Sequence, residues 1–360
     1  MGLRSLIKKF TCVLLFLAHL LIYTPAFAGT GLTVTFLDVG QGAGAIIQCD
    51  DQVMMFDGGD SSNSSLVYSY LHNTLGIEHI DAMIASHPHA DHIGGLSGAL
   101  NACSVDTLYS PVAEYDSKQF SSLLKYAEKQ GLSLTIPSVG DTFTIGGATA
   151  TFLSPAKPYD NTNDLSLVVR LQYGETSFLF TGDAEWDAEH DMVESGADLS
   201  ATVLSVGHHG SNTSSSYVFL REVMPEYAVI SVGKDNSYGH PSEATLSRLR
   251  DAGAQVYRTD LQGTITCVSD GHTITFETEK SGIADALDKS MVIASAGPMS
   301  TFDRGESEYV LNTRSKKIHL PDCASVEQMK EKNKAHSSET IAELEAQGYS
   351  PCGNCRPDQQ

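Results

Sequence analysis

Apolar and polar side chains alternate along Leu32-Thr-Val-Thr-Phe-Leu37, a period of two that predicts a strand. The pattern stops at Asp38-Val-Gly-Gln-Gly-Ala-Gly44 and resumes at Ala45-Ile-Ile-Gln-Cys49 and Gln52-Val-Met-Met-Phe56. Further on, Ala82-Met-Ile-Ala85, Phe178-Leu-Phe180, Thr202-Val-Leu-Ser-Val206 and Tyr227-Ala-Val-Ile-Ser-Val232 are short and largely apolar, as buried strands are, and each runs into a polar, glycine-containing turn. Residues 66–75 and 117–130 read as helices; in the second, Phe120, Leu123, Leu124 and Ala127 recur at helical spacing. Strands recur too often from Gly31 to Glu279 for an all-α chain, so an α/β domain is expected over 29–280. Residues 281–305 mix Gly, Ser and Pro without periodicity and read as a linker. A compact module follows over 306–360, extended from Asn312 to Cys323 and mostly helical from Ser325 to Gly348.

The first 28 residues read differently from the rest. Arg4, Lys8 and Lys9 precede an apolar run from Cys12 to Tyr23, and Ala26-Phe27-Ala28 offers a small-x-small cleavage site before Gly29. This is the pattern of a signal peptide over 1–28, and it predicts a secreted, extracellular protein; the alternative, an uncleaved anchor, has a short apolar run for a span. No other segment is apolar and long enough to cross a bilayer, and nothing in the sequence points to a partner protein.

Composition adds one constraint. With 41% apolar and 19% charged residues the chain is an ordinary globular one, yet its formal charge is −21. An acidic surface repels polyanions at long range, which argues against a sequence-independent grip on duplex DNA through Lys and Arg. It leaves phosphodiester hydrolysis open, because bound divalent cations supply positive charge locally. Six cysteines follow the leader: Cys49, Cys103 and Cys267 in the body, and Cys323, Cys352 and Cys355 near the end. In an exported protein a disulfide among the first three would leave one odd thiol.

The densest chemistry is Ser86-His-Pro-His-Ala-Asp-His-Ile-Gly-Gly95, with three imidazoles and one carboxylate between His87 and His92. Imidazole nitrogen and carboxylate oxygen are the donors that suit Zn²⁺, Mn²⁺ and Fe. Leaving a strand end into a tight turn, His87 and His89 would face one metal while Asp91 and His92 reach a second. Asp183 stands where the strand before Thr181-Gly-Asp183 turns, and by itself reads equally as an ordinary turn residue. In Gly207-His-His-Gly-Ser211 adjacent side chains should point in different directions, so His208 is taken as the metal ligand and His209 as orienting the site or touching substrate. Asp38 and Asp57, at strand ends on one rim, are expected to hydrogen-bond the ligand histidines. Gly40, Gly42 and Gly44 do not make a nucleotide loop, because a strand rather than a helix follows them.

His-x-His-x-Asp-His is the signature of the metallo-β-lactamase superfamily, which the chain therefore resembles. Asp38-Val-Gly-Gln-Gly42, Asp57-Gly-Gly59, Asn163-Asp-Leu-Ser-Leu-Val168, Thr181-Gly-Asp183, Gly207-His-His-Gly-Ser211 and Asn236-Ser-Tyr-Gly-His-Pro241 resemble, in order, the hydrolase domain of the competence protein ComEC. The resemblance implies a four-layered αβ/βα sandwich with two divalent metal ions, Zn or Mn. It makes Asp183 the bridge between them and His240 a group facing substrate, as an oxyanion donor or a proton donor; alone, His240 reads equally as a turn residue before Pro241. Asn163 and Asn236 would lie around the site. Asp91 and Asp183 would orient an attacking hydroxide, with His240 and the backbone at Gly210-Ser211 holding the non-bridging oxygens. Two positions depart from the pattern. Ala43 stands where the relatives carry Asp, and Asn163 occupies the segment where the wider superfamily has a third histidine for the first metal, which predicts a first site that is weakly held, water-filled or empty until substrate binds.

In the C-terminal module His319, Cys323, Cys352 and Cys355 form a closed set suited to structural zinc, and the ending resembles the metal-binding domain of the Ada repair protein. A Cys352–Cys355 disulfide is the alternative. The expected activity is phosphodiester hydrolysis, on extracellular DNA or a smaller phosphodiester. The rivals are a hydrolase of another ester, such as a phosphocholine esterase or lactonase, and a non-catalytic surface or nucleic-acid-binding module.

Overall fold

The computed structural model describes residues 31–282 and, apart from 321, 322, 328, 338 and 340, residues 309–352. The leader, the linker beyond its first two residues, and Cys355 lie outside these residues.

Two sheets face each other. The first runs in the order β15-β14-β1-β2-β3-β4-β5-β6, where β1 is Leu32–Phe36, β2 Gly44–Cys49, β3 Gln52–Gly58, β4 His79–Ile84, β5 Ser104–Tyr109, β6 Leu134–Thr135, β14 Ile265–Ser269 and β15 Ile274–Thr278. The second runs β13-β12-β11-β10-β9-β8-β7, with β7 Thr142–Ile145, β8 Ala148–Ser154, β9 Val168–Tyr173, β10 Thr176–Phe180, β11 Val203–Ser205, β12 Tyr227–Ile230 and β13 Gln255–Arg258. Strands β3 to β6 are mutually parallel, as are β10 to β13.

The strand alternation assigns each side chain to a layer. Val34, Phe36, Ile47, Met54, Phe56, Ala82 and Ile84 of the first sheet meet Phe152, Val169, Leu171, Phe178, Phe180, Val203 and Val229 of the second. Their intervening neighbours Ile46, Met55 and Met83 point the other way, under the helices α1 (Ser64–Ser69), which precedes the short α2 (Ala90–Ile93), and α3 (Leu96–Ala102) and α4 (Lys118–Lys129), which follow it. Leu179, Leu204, Ala228 and Ile230 do the same beneath α5 (Trp186–Glu194), α6 (Tyr217–Val223) and α7 (Glu243–Asp251). The central strands of both sheets are thereby buried on both faces, which is why they read as near-continuous apolar runs, while the outer strands β15 and β7 keep an exposed face. The result is the four-layered αβ/βα sandwich expected from the sequence. The predicted helix at 117–130 is α4, begun by Ser117, whose side chain accepts the N–H of Phe120. The one at 66–75 is α1 continued by a π-helical turn over Tyr70–Leu75.

In the C-terminal module β16 (Tyr309–Asn312), β17 (Lys317–His319), β18 (Lys334–Ser337) and β19 (Ser350–Pro351) form one sheet in the order β18-β16-β17-β19. The helical expectation from Ser325 to Gly348 is corrected here. Between the helical segments Ala324–Glu327 and Ile341–Ala346, Lys334–Ser337 pairs with β16. Tertiary pairing has overridden the local preference of a polar, Lys-rich run. No disulfide joins the described cysteines, and Cys49, Cys103 and Cys267 are buried thiols.

A candidate dinuclear metal centre

The carboxyl ends of the parallel strands share one rim, the usual place for a site in an α/β sheet. Asp57 ends β3, His87 and His89 follow β4, and Asp91 and His92 lie on α2. Asp183 follows β10, and His208 and His209 follow β11. Gly42 lets the first loop approach: a Cβ there would lie 2.3 Å from the carbonyl oxygen of Asp91.

Two donor sets meet at Asp183, whose side chain is buried. Its Oδ1 lies 3.0 Å from Nε2 of His92 and 3.6 Å from Nε2 of His209. Nε2 of His209 is in turn 3.3 Å from Nε2 of His92 and 3.3 Å from Oδ2 of Asp91. On the other side, Oδ2 of Asp183 lies 3.6 Å from Nε2 of His87 and 3.8 Å from Nε2 of His208, while Nε2 of His87 is 3.0 Å from Nδ1 of His89. Donors on a tetrahedral ion with bonds of about 2.0–2.1 Å stand about 3.4 Å apart, so these separations are those of a coordination shell's edges.

The outer hydrogen bonds decide which ring nitrogens are available. Nδ1 of His92 is 2.8 Å from Oδ2 of Asp57, so it carries the proton and its Nε2 presents a lone pair. Nδ1 of His209 is 2.9 Å from the carbonyl of Ser231, with the same consequence. Two lone pairs then face each other across 3.3 Å beside two carboxylates, an arrangement that a shared cation relieves. Without one, the groups polarise each other. Burial and His92 depress the pKa of His87 well below the usual value, and burial depresses that of His89. Burial opposes charge on His92, but Asp183 and Asp57 outweigh it and raise its pKa well above that of an ordinary histidine. Burial likewise opposes ionisation of Asp183 and Asp91. Their histidine neighbours prevail and keep both pKa values low.

The sequence profile of the Metallo-beta-lactamase superfamily matches residues 37–234. The chain belongs to that superfamily. Within it, the chain is 32% identical over 273 residues to ComE operon protein 3 of Bacillus subtilis, a match covering 71% of this chain and 34% of that protein. It is 33% identical over 256 residues to competence protein ComA of Neisseria gonorrhoeae, covering 70% and 34%. The matched region thus spans about a third of either relative. A shorter stretch of 87 residues is 31% identical to ribonuclease Z of Salinispora arenicola, covering 23% and 27%. The superfamily hydrolase reading and its dimetal cradle therefore rest on both the sequence profile and the donor geometry.

Several expected residues fall elsewhere than the sequence suggested. His208 and His209 both have positive φ, 50° and 54°, and this left-handed turn aims both rings at Asp183 instead of splaying them. His209, assigned an orienting role, joins Asp91 and His92 in one donor set. Asp57 holds Ser86 and His92, but Asp38 does not reach the histidines: it accepts the N–H of Gly40 and pairs with Lys280 at 3.1 Å. Ser211 is committed too, its N–H to the carbonyl of His208 and its Oγ to Thr213, so it offers nothing to an oxyanion. Asn236 builds the loop under His240, accepting the N–H groups of Tyr238 and His240 and donating to the carbonyls of Gly233 and His240. Ala43 serves through its backbone, its N–H bonding the carbonyl of Asp91. The sequence reading missed Ser86, Ser231 and Glu185, which orient ligand rings. For Glu185 the clue was its place two residues beyond Asp183.

A cavity of about 330 Å³ opens over the centre, lined among others by Gln41, Asp91, Asn163, His208, Tyr238 and His240. Burial and the neighbouring His208 and His209 lower the pKa of His240 to about 4, leaving a neutral ring with one N–H to donate.

In the C-terminal module, ligand atoms of His319, Cys323 and Cys352 lie within 4.8 Å of one another and all three residues are buried. Nδ1 of His319 lies 3.4 Å from Sγ of Cys323, a separation suited to two ligands of one ion.

Proposed function

We propose that this chain is an exported metal-dependent phosphodiesterase whose substrate is a DNA strand or a smaller phosphodiester. The observation that carries the reading is Asp183 standing between two donor sets beneath an open cavity, in a region related to ComE operon protein 3 and competence protein ComA. A metal pair in this cradle would supply a hydroxide at neutral pH and charge stabilisation at phosphorus. The chain's own groups do the rest. Asp91 and Asp183 fix the donor geometry and hold the attacking oxygen, while the neutral His240 ring donates to a non-bridging or leaving oxygen. Export rests on the leader pattern at 1–28, and a structural zinc on His319, Cys323, Cys352 and Cys355 of the tail.

The test is hydrolysis of bis(p-nitrophenyl) phosphate and of labelled single- and double-stranded DNA, with Mn²⁺ or Zn²⁺ and with chelator. Metal-dependent cleavage lost in Asp183→Ala supports the reading; a correctly metallated protein that cleaves none of these substrates refutes it. One observation favours a second reading, a small ester such as a choline phosphodiester: among the described residues no Lys or Arg lines the cavity, so none of them grips a polyanionic backbone there.

A further inference from the structure

The first donor set has only His87, His89 and Asp183 from the expected motif, because Asn163 replaces the superfamily's third histidine. The structure assigns that third-imidazole position to His208, with Glu185 as the carboxylate that positions it. This goes beyond the substrate reading, since it concerns how the first ion is held.

Four observations carry the assignment. Nε2 of His208 lies 3.8 Å from Oδ2 of Asp183, matching the 3.6 Å of Nε2 of His87 from the same oxygen. Nδ1 of His208 lies 2.9 Å from Oε1 of Glu185, which fixes the proton on Nδ1 and turns the Nε2 lone pair toward Asp183. Glu185 is itself held: Oε1 accepts Nδ2 of Asn163 at 3.0 Å, Oε2 accepts Nδ2 of Asn161 at 2.9 Å, and its N–H reaches Oδ1 of Asp164 at 2.9 Å. Finally, His208 and His209 occupy consecutive left-handed conformations, at a cost of about 1–3 kcal/mol each for side chains other than glycine, and such strain persists where a site requires it.

The rival ligand is Asn163, whose buried Oδ1 has no hydrogen-bond partner among the described residues. An amide oxygen is a poorer donor than imidazole for Zn²⁺, and the Asn163 amide is already oriented by Glu185. Asn163 therefore acts behind Glu185, in a chain Asn163–Glu185–His208 that replaces a single histidine.

Metal counting tests this without reference to substrate. The purified full chain is stripped and titrated with Mn²⁺, and spin-coupled pairs are read by electron paramagnetic resonance, with metal-free thermal unfolding as the folding control. The wild type and Asn163→Ala should each show a coupled pair. His208→Ala should show one uncoupled ion, and Glu185→Gln, which preserves size, should bind the first ion about 10–100-fold more weakly. If His208→Ala misfolds, His208→Gln gives the same reading. A coupled pair retained in the His208 variant, or lost in Asn163→Ala, overturns the assignment; wild-type affinity in Glu185→Gln overturns the positioning role. Because no substrate is involved, either failure leaves the phosphodiesterase reading standing, and failure of that reading leaves this one intact.

Discussion

Oδ2 of Asp57 lies 2.8 Å from Nδ1 of His92, and both side chains are fully buried. The same carboxylate accepts the N–H and Oγ–H of Ser86 at 2.8 and 2.6 Å, so one residue orients the ligand ring and the strand end before His87. Asp57→Ala removes that hold while touching no expected metal bond. Metal affinity should fall about 10–100-fold, measured by competition with a chromophoric chelator. Wild-type affinity in a folded variant would mean that His92 needs no such partner.

Gly42 has φ 140°, and a Cβ on it would overlap the carbonyl oxygen of Asp91 at 2.3 Å. Backbone, not a flexible side chain, stands in the way. Gly42→Ala should therefore displace Asp91 and cost about 1–3 kcal/mol for the unfavourable φ alone. The check is paired: urea unfolding for stability, and metal titration for loss of the ion held by Asp91, His92 and His209. A variant with wild-type stability and two ions would contradict the close approach.

Which parts of the centre were legible depended on whether position along the chain fixes direction in space. His87, His89, Asp91 and His92 sit within six residues after a strand, so their convergence follows from local geometry. The pair His208 and His209 defeats that argument, since extended backbone would splay them and only the left-handed turn brings both inward. Asp38 shares a rim with Asp57, yet its partner Lys280 is 242 residues away and decides its direction. Glu185 and Ser231 act through single long-range hydrogen bonds that have no motif of their own. The sandwich was readable because its central strands are apolar on both faces and β1 alternates with a period of two. The strand at Lys334–Ser337 was not, because its polar sequence gains its conformation from pairing with β16.

Glu189 lies buried on α5, where it accepts the backbone N–H groups of Ser215 and Ser216 beside Arg248. Burial raises its pKa from 4.5 to about 7, against the pull of those partners. Between these values the folded chain keeps a proton that the unfolded chain has released, so stability falls as pH rises through that window. The loss is about 3 kcal/mol at about 1.4 kcal/mol per unit. Urea unfolding from pH 4 to 8 should show this slope in the wild type and a flatter one in Glu189→Gln. Parallel curves for the two proteins would show that Glu189 ionises normally in the fold.

His240 is placed by Asn236, which accepts its N–H at 3.1 Å and donates to its carbonyl at 2.6 Å, and Tyr238 stacks on its ring at 5.8 Å between centroids. Its ring lies 5.5 Å from that of His208 and lines the cavity, but it belongs to neither donor set. A residue so placed touches substrate without holding metal, and the two roles separate experimentally. His240→Ala should lower kcat on bis(p-nitrophenyl) phosphate by about 10²–10³-fold, the usual cost of losing one positioned hydrogen-bond donor to the reacting oxygens, and leave the Mn²⁺ stoichiometry of the wild type. Loss of an ion in this variant would make His240 a ligand instead. Unchanged turnover would reduce it to a turn residue before Pro241, and the donor to the reacting oxygens would then have to be sought among the remaining cavity groups, Gln41 and Tyr238.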